Sequence, residues 1–183
     1  MTGANRVRII GGDWRSRVIH FPPASQLRPT PDRVRETLFN WLGQRLDGLA
    51  CVDLFAGSGA LAFEALSRGA RRVVMIERDR AVAKALRDNA AKLGASGAQV
   101  VESDAMAWLA RNTERFDVAF VDPPYASDLA VRALQALEPH VAGGARVYVE
   151  SAKPILPPAR WRAVREDRAG AVRYALFEPV AEP

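Results

Sequence analysis

The sequence predicts an α/β protein with a mostly parallel, seven-stranded sheet, and three observations lead to this fold class. From residue 50 onward, short apolar segments alternate with segments of helical periodicity, which is typical of a parallel sheet covered by helices on both faces. The last two strand-like segments, Trp161–Asp167 and Ala171–Pro179, follow each other without a helix, which indicates a terminal antiparallel hairpin. Residues 1–48 have a different pattern, so we expect an N-terminal extension of a hairpin and a helix, packed on a core of residues 49–183.

The extension begins with a predicted β-hairpin at Arg6–Ile19. Two β-rich segments flank a Gly-Gly-Asp turn. Arg6 and Arg8 alternate with apolar residues, and Arg15 and Arg17 do so less regularly. Because successive side chains of a strand point to opposite faces, this spacing is expected to place several guanidinium groups on one face.

A helix is predicted after the hairpin, beginning at Thr30-Pro31-Asp32. Thr30 is the expected N-cap and Pro31 the first helical residue, since a threonine oxygen accepts from helix amides and proline lacks an amide that would stay unpaired. Apolar residues then recur at helical spacing and form one stripe: Val34, Leu38, Trp41, Leu42 and Leu46. Gly43 weakens the helix, and Gly48 is its expected end.

The core is predicted to have five strands before the terminal hairpin, with four helices between them. The strands are Cys51–Phe55, Arg72–Glu77, Ala98–Glu102, Asp117–Asp122 and Ala145–Glu150. The helices are Ala60–Ser67, Arg80–Leu93, Ala105–Ala110 and Leu129–Val141. A parallel sheet that ends in an antiparallel hairpin is typical of class I methyltransferases, whereas a dinucleotide-binding fold more often ends in another strand and helix.

Composition and charge limit the class of protein. Hydrophobic residues make up 49% of the 183 residues, as in a globular protein. The single cysteine, Cys51, excludes an intramolecular disulfide, and with only two histidines beside it the sequence suggests no metal site. No apolar run reaches the length of a membrane span, and the first residues lack the apolar centre of a signal peptide, so we expect a cytoplasmic location.

The positive charge is concentrated at the ends of the chain. Residues 1–50 contain eight arginines against four acidic residues, whereas residues 51–150 contain twelve basic residues against thirteen acidic ones. This division indicates a polyanion-binding extension on a neutral body, with a solvated basic surface as the alternative.

A glycine-containing turn follows the first core strand and opens a helix. It runs Asp53-Leu54-Phe55-Ala56-Gly57-Ser58-Gly59. Glycines let the backbone approach a ligand closely, but Ala62 stands where a dinucleotide-binding turn has its third glycine. This departure counts against NAD and fits S-adenosylmethionine, which has no phosphate. The carboxylate of Asp53 suits the ammonium group of the methionine part or a water beside it.

Two further acids follow strands. Glu77 ends the second core strand, where an acid is placed to accept from both ribose hydroxyls; the alternative is a surface acid, like its neighbour Asp79. Asp104 follows the third core strand, where it is expected to accept from the adenine amino group, to cap the next helix, or to do both.

The segment Asp122-Pro123-Pro124-Tyr125 directly follows an apolar strand. The Asp122 carboxylate and the Pro123 carbonyl are acceptors for an exocyclic amino group, the prolines fix the backbone, and Tyr125 offers a flat face for stacking. The segment resembles the DPPY motif of amino-methyltransferases that use S-adenosylmethionine. A proline turn that closes a strand is the alternative.

Taken together, the chain resembles the bacterial small-subunit methyltransferase D family, which modifies the N2 amine of a guanine in 16S ribosomal RNA. The matching stretches are Arg8–Arg15, Leu27–Phe39, Asp53–Ala70 and Asp122–Tyr125. Ala62-Phe63 departs from the expected Gly-Leu, which should affect packing alone. The resemblance implies a class I fold with an N-terminal extension, S-adenosylmethionine as methyl donor, and a ribosomal substrate. We expect the chain to act as a monomer.

These patterns and the resemblance give three sets of expected site residues. The catalytic set is Asp122, Pro123, Pro124 and Tyr125. The cofactor set is Thr30, Asp53, Phe55, Ala56, Gly57, Ser58, Gly59, Glu77, Arg78, Asp104 and Ala105. The RNA-binding set is Arg6, Arg8, Arg15, Arg17, Arg28, Arg33 and Arg35. By the resemblance, the segment around Arg28 lies beside the active site.

Three other functions remain open at this point. A DNA adenine-N6 methyltransferase shares the catalytic motif, but this short chain leaves little room for a target-recognition region. A protein-glutamine methyltransferase usually carries asparagine in place of Asp122. A non-catalytic RNA-binding or ribosome-assembly factor has no need of the combination of Asp53, Glu77 and Asp122.

Overall fold

The computed structural model describes residues 5–23, 27–124 and 128–180. Its helices are α1 (Asp32–Trp41), α2 (Ala60–Ser67), α3 (Arg80–Leu93), α4 (Ala105–Leu109) and α5 (Leu129–Leu137), and a 3₁₀ helix, Glu138–His140, follows α5. Its strands are β1 (Arg6–Arg8), β2 (Val18–His20), β3 (Ala50–Asp53), β4 (Arg72–Glu77), β5 (Ala98–Glu102), β6 (Phe116–Val121), β7 (Val141–Ser151), β8 (Trp161–Ala169) and β9 (Val172–Pro179).

Strands β3 to β9 form one seven-stranded sheet in the order β5-β4-β3-β6-β7-β9-β8. The first five strands in this order, β5, β4, β3, β6 and β7, are each parallel to their neighbours. Strand β9 is antiparallel to both β7 and β8. The predicted class I fold is therefore confirmed, including the terminal hairpin. No helix among the described residues is long and apolar enough to cross a membrane.

The alternation of side chains along the strands gives the sheet two apolar faces. Phe120 of β6 and Tyr148 of β7 pack into a cluster with α1, α2, α3 and the N-terminal extension. Their neighbours Val121 and Val149 pack into a second cluster with α4 and α5. Because both faces are covered, the central strands β3, β4 and β6 are largely apolar and buried, and polar side chains collect where these strands end.

The N-terminal extension packs on the first of these faces. β1 and β2 are antiparallel, as predicted, with Val7 opposite Ile19. The loop between them is held by α2: Glu64 accepts hydrogen bonds from the amides of Ile10 and Gly11, at 2.9 and 2.8 Å. The division of the chain at residue 48 stays a prediction, since the extension shares its apolar cluster with the core.

The start of α1 differs from the prediction. The helix begins at Asp32 with Pro31 as N-cap residue, and no side chain caps it. The hydroxyl of Thr30 instead donates to Glu150 Oε1 at 2.8 Å. Thr30 therefore joins the extension to the end of β7. A carboxylate oxygen is a strong hydrogen-bond acceptor, so the Thr30 hydroxyl is directed at Glu150.

The end of α1 also differs. The helix ends at Trp41, and Gly43 has a φ of +91°, so Gly43 and not Gly48 ends it. Leu46 lies beyond the helix but is still buried, at 1% exposure, because the chain turns back toward α2. The predicted bounds of the core helices and strands agree with the structure to within a few residues, apart from β7, which begins four residues earlier than predicted, and α5, which gives way to the 3₁₀ helix.

Candidate active site

A cavity of about 940 Å³ lies at the carboxyl ends of the central strands. Four neighbouring strands each place one acid along it: Glu77 on β4, Asp53 on β3, Asp122 directly after β6, and Glu150 on β7. Carboxyl ends of parallel strands are where α/β sheets bind ligands. The row of acids means that the cavity suits a ligand with positive charge or several hydrogen-bond donors.

The glycine turn forms one wall of the cavity, but its two glycines have different roles. Gly57 lines the cavity with a φ of +52°, and its amide donates to Glu77 Oε2 at 3.0 Å. Gly59 does not line it. A Cβ at Gly59 would come within 2.7 Å of Phe63 and Leu86, so this glycine lets α2 and α3 pack closely. Gly59 therefore has a packing role, and the cofactor contact expected there stays a prediction.

Glu77 is held in place at the end of β4. Its Oε2 accepts from the Gly57 amide, and its Oε1 accepts from the Asp79 amide at 2.8 Å. Each oxygen has a second lone pair that remains for a ligand donor. Glu77 therefore fixes the glycine turn and still presents acceptors to the cavity.

Asp53 is buried, at 2% exposure, and its Oδ1 has no hydrogen-bond partner among the described residues. Burial raises its pKa to about 7; a hydrogen bond from the Phe55 amide lowers it, and the charges of Glu77 and Glu150 raise it again. A buried acceptor without a partner is costly, and such an atom in a cavity indicates a missing ligand donor.

The remaining expected cofactor residues also lie along the cavity. Asp104 caps α4, accepting from the Ala107 amide at 2.9 Å, and lines the cavity, so the two expected roles are compatible. The other members that line it are Thr30, Phe55, Ala56, Ser58, Arg78 and Ala105.

The proline motif faces the same cavity from β6. Asp122, Pro123 and Pro124 line it, whereas Tyr125 lies outside the described residues. Burial raises the pKa of Asp122 well above its usual range, and the charges of Glu150 and Asp53 raise it further. A cation in the cavity would favour the charged form of Asp122.

Glu150 belongs to this site but was not predicted from the sequence. It is 8% exposed, and its Oε1 accepts from the hydroxyls of Thr30 and Tyr148, each at 2.8 Å. Burial raises the pKa of Glu150, and these two hydrogen bonds lower it. The signal available in the sequence was an acid at the end of an apolar strand, the same pattern that identified Glu77.

A second, smaller cleft of about 390 Å³ adjoins the cavity. Arg6 and Arg8 line it from β1, and Pro29 and Thr30 line both spaces. Arg6 and Arg8 are exposed on one face of the strand, as their spacing predicts. The cleft is thus a basic approach to the acidic cavity.

The other expected RNA-binding arginines divide into exposed and buried ones. Arg28 is exposed and lines the large cavity, and Arg33 is exposed on α1. Arg15 and Arg17 are exposed but lie in the loop before β2, and Arg17 donates to the Lys92 carbonyl at the end of α3. They therefore do not line the cleft that Arg6 and Arg8 share.

Arg35 is a correction to the expected RNA-binding set. Its side chain is 1% exposed and forms ion pairs with Asp32 and Glu64. It also donates to the Thr30 and Arg8 carbonyls, at 3.1 and 3.0 Å. Each of its three side-chain nitrogens donates to at least one of these groups, so Arg35 holds the extension together and is not available to a phosphate.

Comparison with known proteins agrees with this architecture. The sequence model of the family described as conserved hypothetical protein 95 matches residues 7–178. The chain is 46% identical to ribosomal RNA small subunit methyltransferase D of Escherichia coli strain K12, over 99% of this chain and 94% of that protein.

Solved structures give the same result. A putative methyltransferase from Escherichia coli superposes with a TM-score of 0.89 at 45% identity, covering 97% of this chain and all of the other. An RNA methyltransferase from Salinibacter ruber, solved with S-adenosyl-L-homocysteine, shares the fold at a TM-score of 0.67 and 20% identity, covering 85% of this chain and 97% of the other. With a matching family model and a relative of 46% identity over nearly its whole length, this chain belongs to the ribosomal RNA small subunit methyltransferase D family.

Proposed function

We propose that this chain methylates the exocyclic N2 amine of one guanine in 16S ribosomal RNA, with S-adenosylmethionine as donor. Methyltransferase activity toward ribosomal RNA follows from family membership, and the guanine N2 atom is the part that we add. The observation that carries the proposal is that one cavity joins the glycine turn and Glu77 to the Asp122-Pro123-Pro124 motif.

The residues of the cavity fit S-adenosylmethionine. Asp53 Oδ1 offers a buried acceptor without a partner among the described residues, as the ammonium group of the methionine part requires. Glu77 keeps lone pairs for the ribose hydroxyls, and Asp104 keeps an acceptor for the adenine amino group. When bound, S-adenosylmethionine supplies an electrophilic methyl group on a positively charged sulfur.

Asp122 is the residue that positions the reacting nitrogen. Its carboxylate and the Pro123 carbonyl accept the two amino hydrogens, which orients the nitrogen lone pair toward the methyl group. As the carbon–nitrogen bond forms and the carbon–sulfur bond breaks, positive charge moves to the nitrogen, and a carboxylate beside it stabilises that charge. The methylated nitrogen then loses a proton to Asp122 or to water.

The basic cleft beside the cavity provides the path for RNA. A guanine that leaves its stack would enter the cavity, while Arg6 and Arg8 hold neighbouring phosphates. Tyr125 is proposed to stack on the base, as the motif predicts. The small ribosomal subunit as substrate, a monomeric state, a cytoplasmic location and the separate extension of residues 1–48 are further parts of the proposal.

The test compares Asp122→Ala with the unaltered protein. Small subunits that lack the modification are incubated with methyl-labelled S-adenosylmethionine, and cofactor affinity is measured by calorimetry. We expect transfer to be nearly abolished while the cofactor dissociation constant stays within about tenfold, or about 1.4 kcal/mol. Near-normal turnover in the variant would refute the role of Asp122.

A further inference from the structure

Glu150 lies directly beside Asp122 at the edge of the sheet. Val121 of β6 pairs with Val149 of β7, so the next residue on each strand is one of these two acids. Asp122 lies two residues after Phe120, and Glu150 lies two residues after Tyr148. Phe120 and Tyr148 belong to the same apolar face of the sheet, so the two acids point to that same face. Both acids line the large cavity. The part of the cavity proposed to hold the target base therefore has two carboxyl groups, of which the Asp122-Pro123-Pro124 motif supplies one.

Among the described residues, one oxygen of Glu150 accepts two hydrogen bonds and the other accepts none. The hydroxyls of Thr30 and Tyr148 both donate to Oε1, whereas no described residue donates to Oε2. Burial raises the pKa of Glu150 and the two hydroxyl hydrogen bonds lower it, and they also fix its carboxyl group in position. Glu150 therefore presents a fixed acceptor to the cavity.

The Watson–Crick edges of the two purines differ at the ring nitrogen next to the amine. Guanine has an N1–H donor beside its N2 amino group, so three hydrogens lie in a row. Adenine has an N1 lone pair beside its N6 amino group. A site with acceptors for three hydrogens accommodates guanine, and it repels adenine because a carboxylate faces a lone pair.

We propose that Glu150 determines base specificity: it accepts the N1–H of the target guanine while Asp122 and the Pro123 carbonyl accept the N2 hydrogens. This inference rests on the proposed function, since it assumes a guanine target. It assigns to Glu150 a task separate from holding Thr30, because the two hydroxyls use one oxygen and the base uses the other.

The test replaces the mapped target guanine with 2-aminopurine in reconstituted small subunits. This analogue keeps the amino group at C2 but has a lone pair at N1. We expect the unaltered protein to methylate guanine at least about 100-fold more efficiently, as judged by kcat/KM. In Glu150→Gln and Glu150→Ala, we expect this preference to fall at least about tenfold, because the fixed negative acceptor is gone.

The two variants separate specificity from structure. Glutamine keeps an oxygen for the hydroxyls of Thr30 and Tyr148, so Glu150→Gln preserves those contacts while removing the charge. Glu166→Gln is the matched control, since Glu166 is exposed on β8 and its replacement also removes one negative charge. The control should keep the preference of the unaltered protein.

Three outcomes would overturn the assignment. The first is an unaltered protein that methylates 2-aminopurine as well as guanine, a result that requires no variant to fold. The second is a preference that persists in both Glu150 variants. The third is an unaltered protein that transfers no methyl group to guanine at all, in which case the proposed function fails and the role of Glu150 fails with it.

Discussion

Replacing Asp53 with asparagine should stabilise the free protein and weaken its hold on the cofactor. The carboxyl group is buried, one of its oxygens has no partner among the described residues, and burial raises its pKa to about 7. The ionised form of Asp53 is therefore unfavourable in the folded protein when no ligand is bound. Asparagine has nearly the same shape and cannot ionise, which removes this cost.

The magnitude follows from the pKa in the two states. The folded value is about 7 and the ordinary value is 3.8. Since each unit corresponds to about 1.36 kcal/mol, ionisation of Asp53 destabilises the folded state by about 4 kcal/mol at high pH. The sign is set by the raised pKa: the folded state binds the extra proton, so the cost is absent below about pH 4, grows between about pH 4 and 7, and is complete above about pH 7.

The assay is urea unfolding of both proteins without cofactor at about pH 5 and about pH 8. The free energy of unfolding of Asp53→Asn, relative to the unaltered protein, should rise by a few kcal/mol between the two values. Asp13→Asn is the control, because the Asp13 side chain is 77% exposed and should give no such rise. A difference between Asp53→Asn and the unaltered protein that does not change with pH would refute the reasoning.

Cofactor affinity provides a second, independent test of the role of Asp53. If Asp53 accepts from the ammonium group, Asp53→Asn should lose about 1.5–3 kcal/mol of binding free energy, which is typical of a hydrogen bond to a charged group. Calorimetry at the higher pH measures this loss. A variant that is more stable and binds as well as the unaltered protein would leave Asp53 without a role in binding.

Three further variants probe the glycine turn, the basic cleft and the extension. Glu77→Ala should weaken S-adenosylmethionine binding by about 1.5–3 kcal/mol in calorimetry, because it removes the ribose acceptor and frees the glycine turn. Replacing Arg6 and Arg8 with alanine should weaken RNA binding and reduce its log–log salt slope by about 0.7–0.9 for each phosphate that the protein no longer binds, whereas Arg17→Ala should have less effect. Glu64→Ala should lower the free energy of unfolding by about 3–5 kcal/mol, because it removes the buried carboxylate that pairs with the guanidinium groups of Arg35 and Arg68.

Each of these three predictions would be contradicted by a specific result. Unchanged cofactor affinity in Glu77→Ala would make Glu77 a structural acid that only holds the turn. An unaltered salt slope in the double arginine variant, with folding confirmed by circular dichroism, would mean that Arg6 and Arg8 form a solvated surface. A free energy of unfolding that is unchanged in Glu64→Ala would show that the apolar contacts and the other hydrogen bonds of the extension hold it without Glu64.

The sequence predicted the fold well because its signals are local and repeated. Apolar strands such as Arg72–Glu77 and helices such as Arg80–Leu93 have the periodicity of their element, and turns or caps mark their ends. The order of acids along the strands also predicted which residues line the cavity, since parallel strands bring their carboxyl ends together.

The sequence could not show which polar groups are already satisfied by other parts of the chain. Arg35 and Arg33 are two positions apart and look alike in sequence, but Arg35 is buried against Glu64 while Arg33 is exposed. Thr30 has the pattern of an N-cap, yet its hydroxyl donates to Glu150, 120 residues away. Glu150 itself was missed because its importance depends on the pairing of β6 with β7, which the sequence does not encode locally.

The most direct test of the proposed function identifies the nucleoside that the protein makes. Unmethylated small subunits are incubated with the purified protein and S-adenosylmethionine, the 16S RNA is digested, and the methylated nucleoside is identified and mapped by mass spectrometry. The proposed function predicts N2-methylguanosine at a single position, with Asp122 and Glu150 in the cavity as acceptors for the hydrogens of the guanine. A product methylated on adenine N6, or no transfer to 16S RNA, would contradict the proposed function.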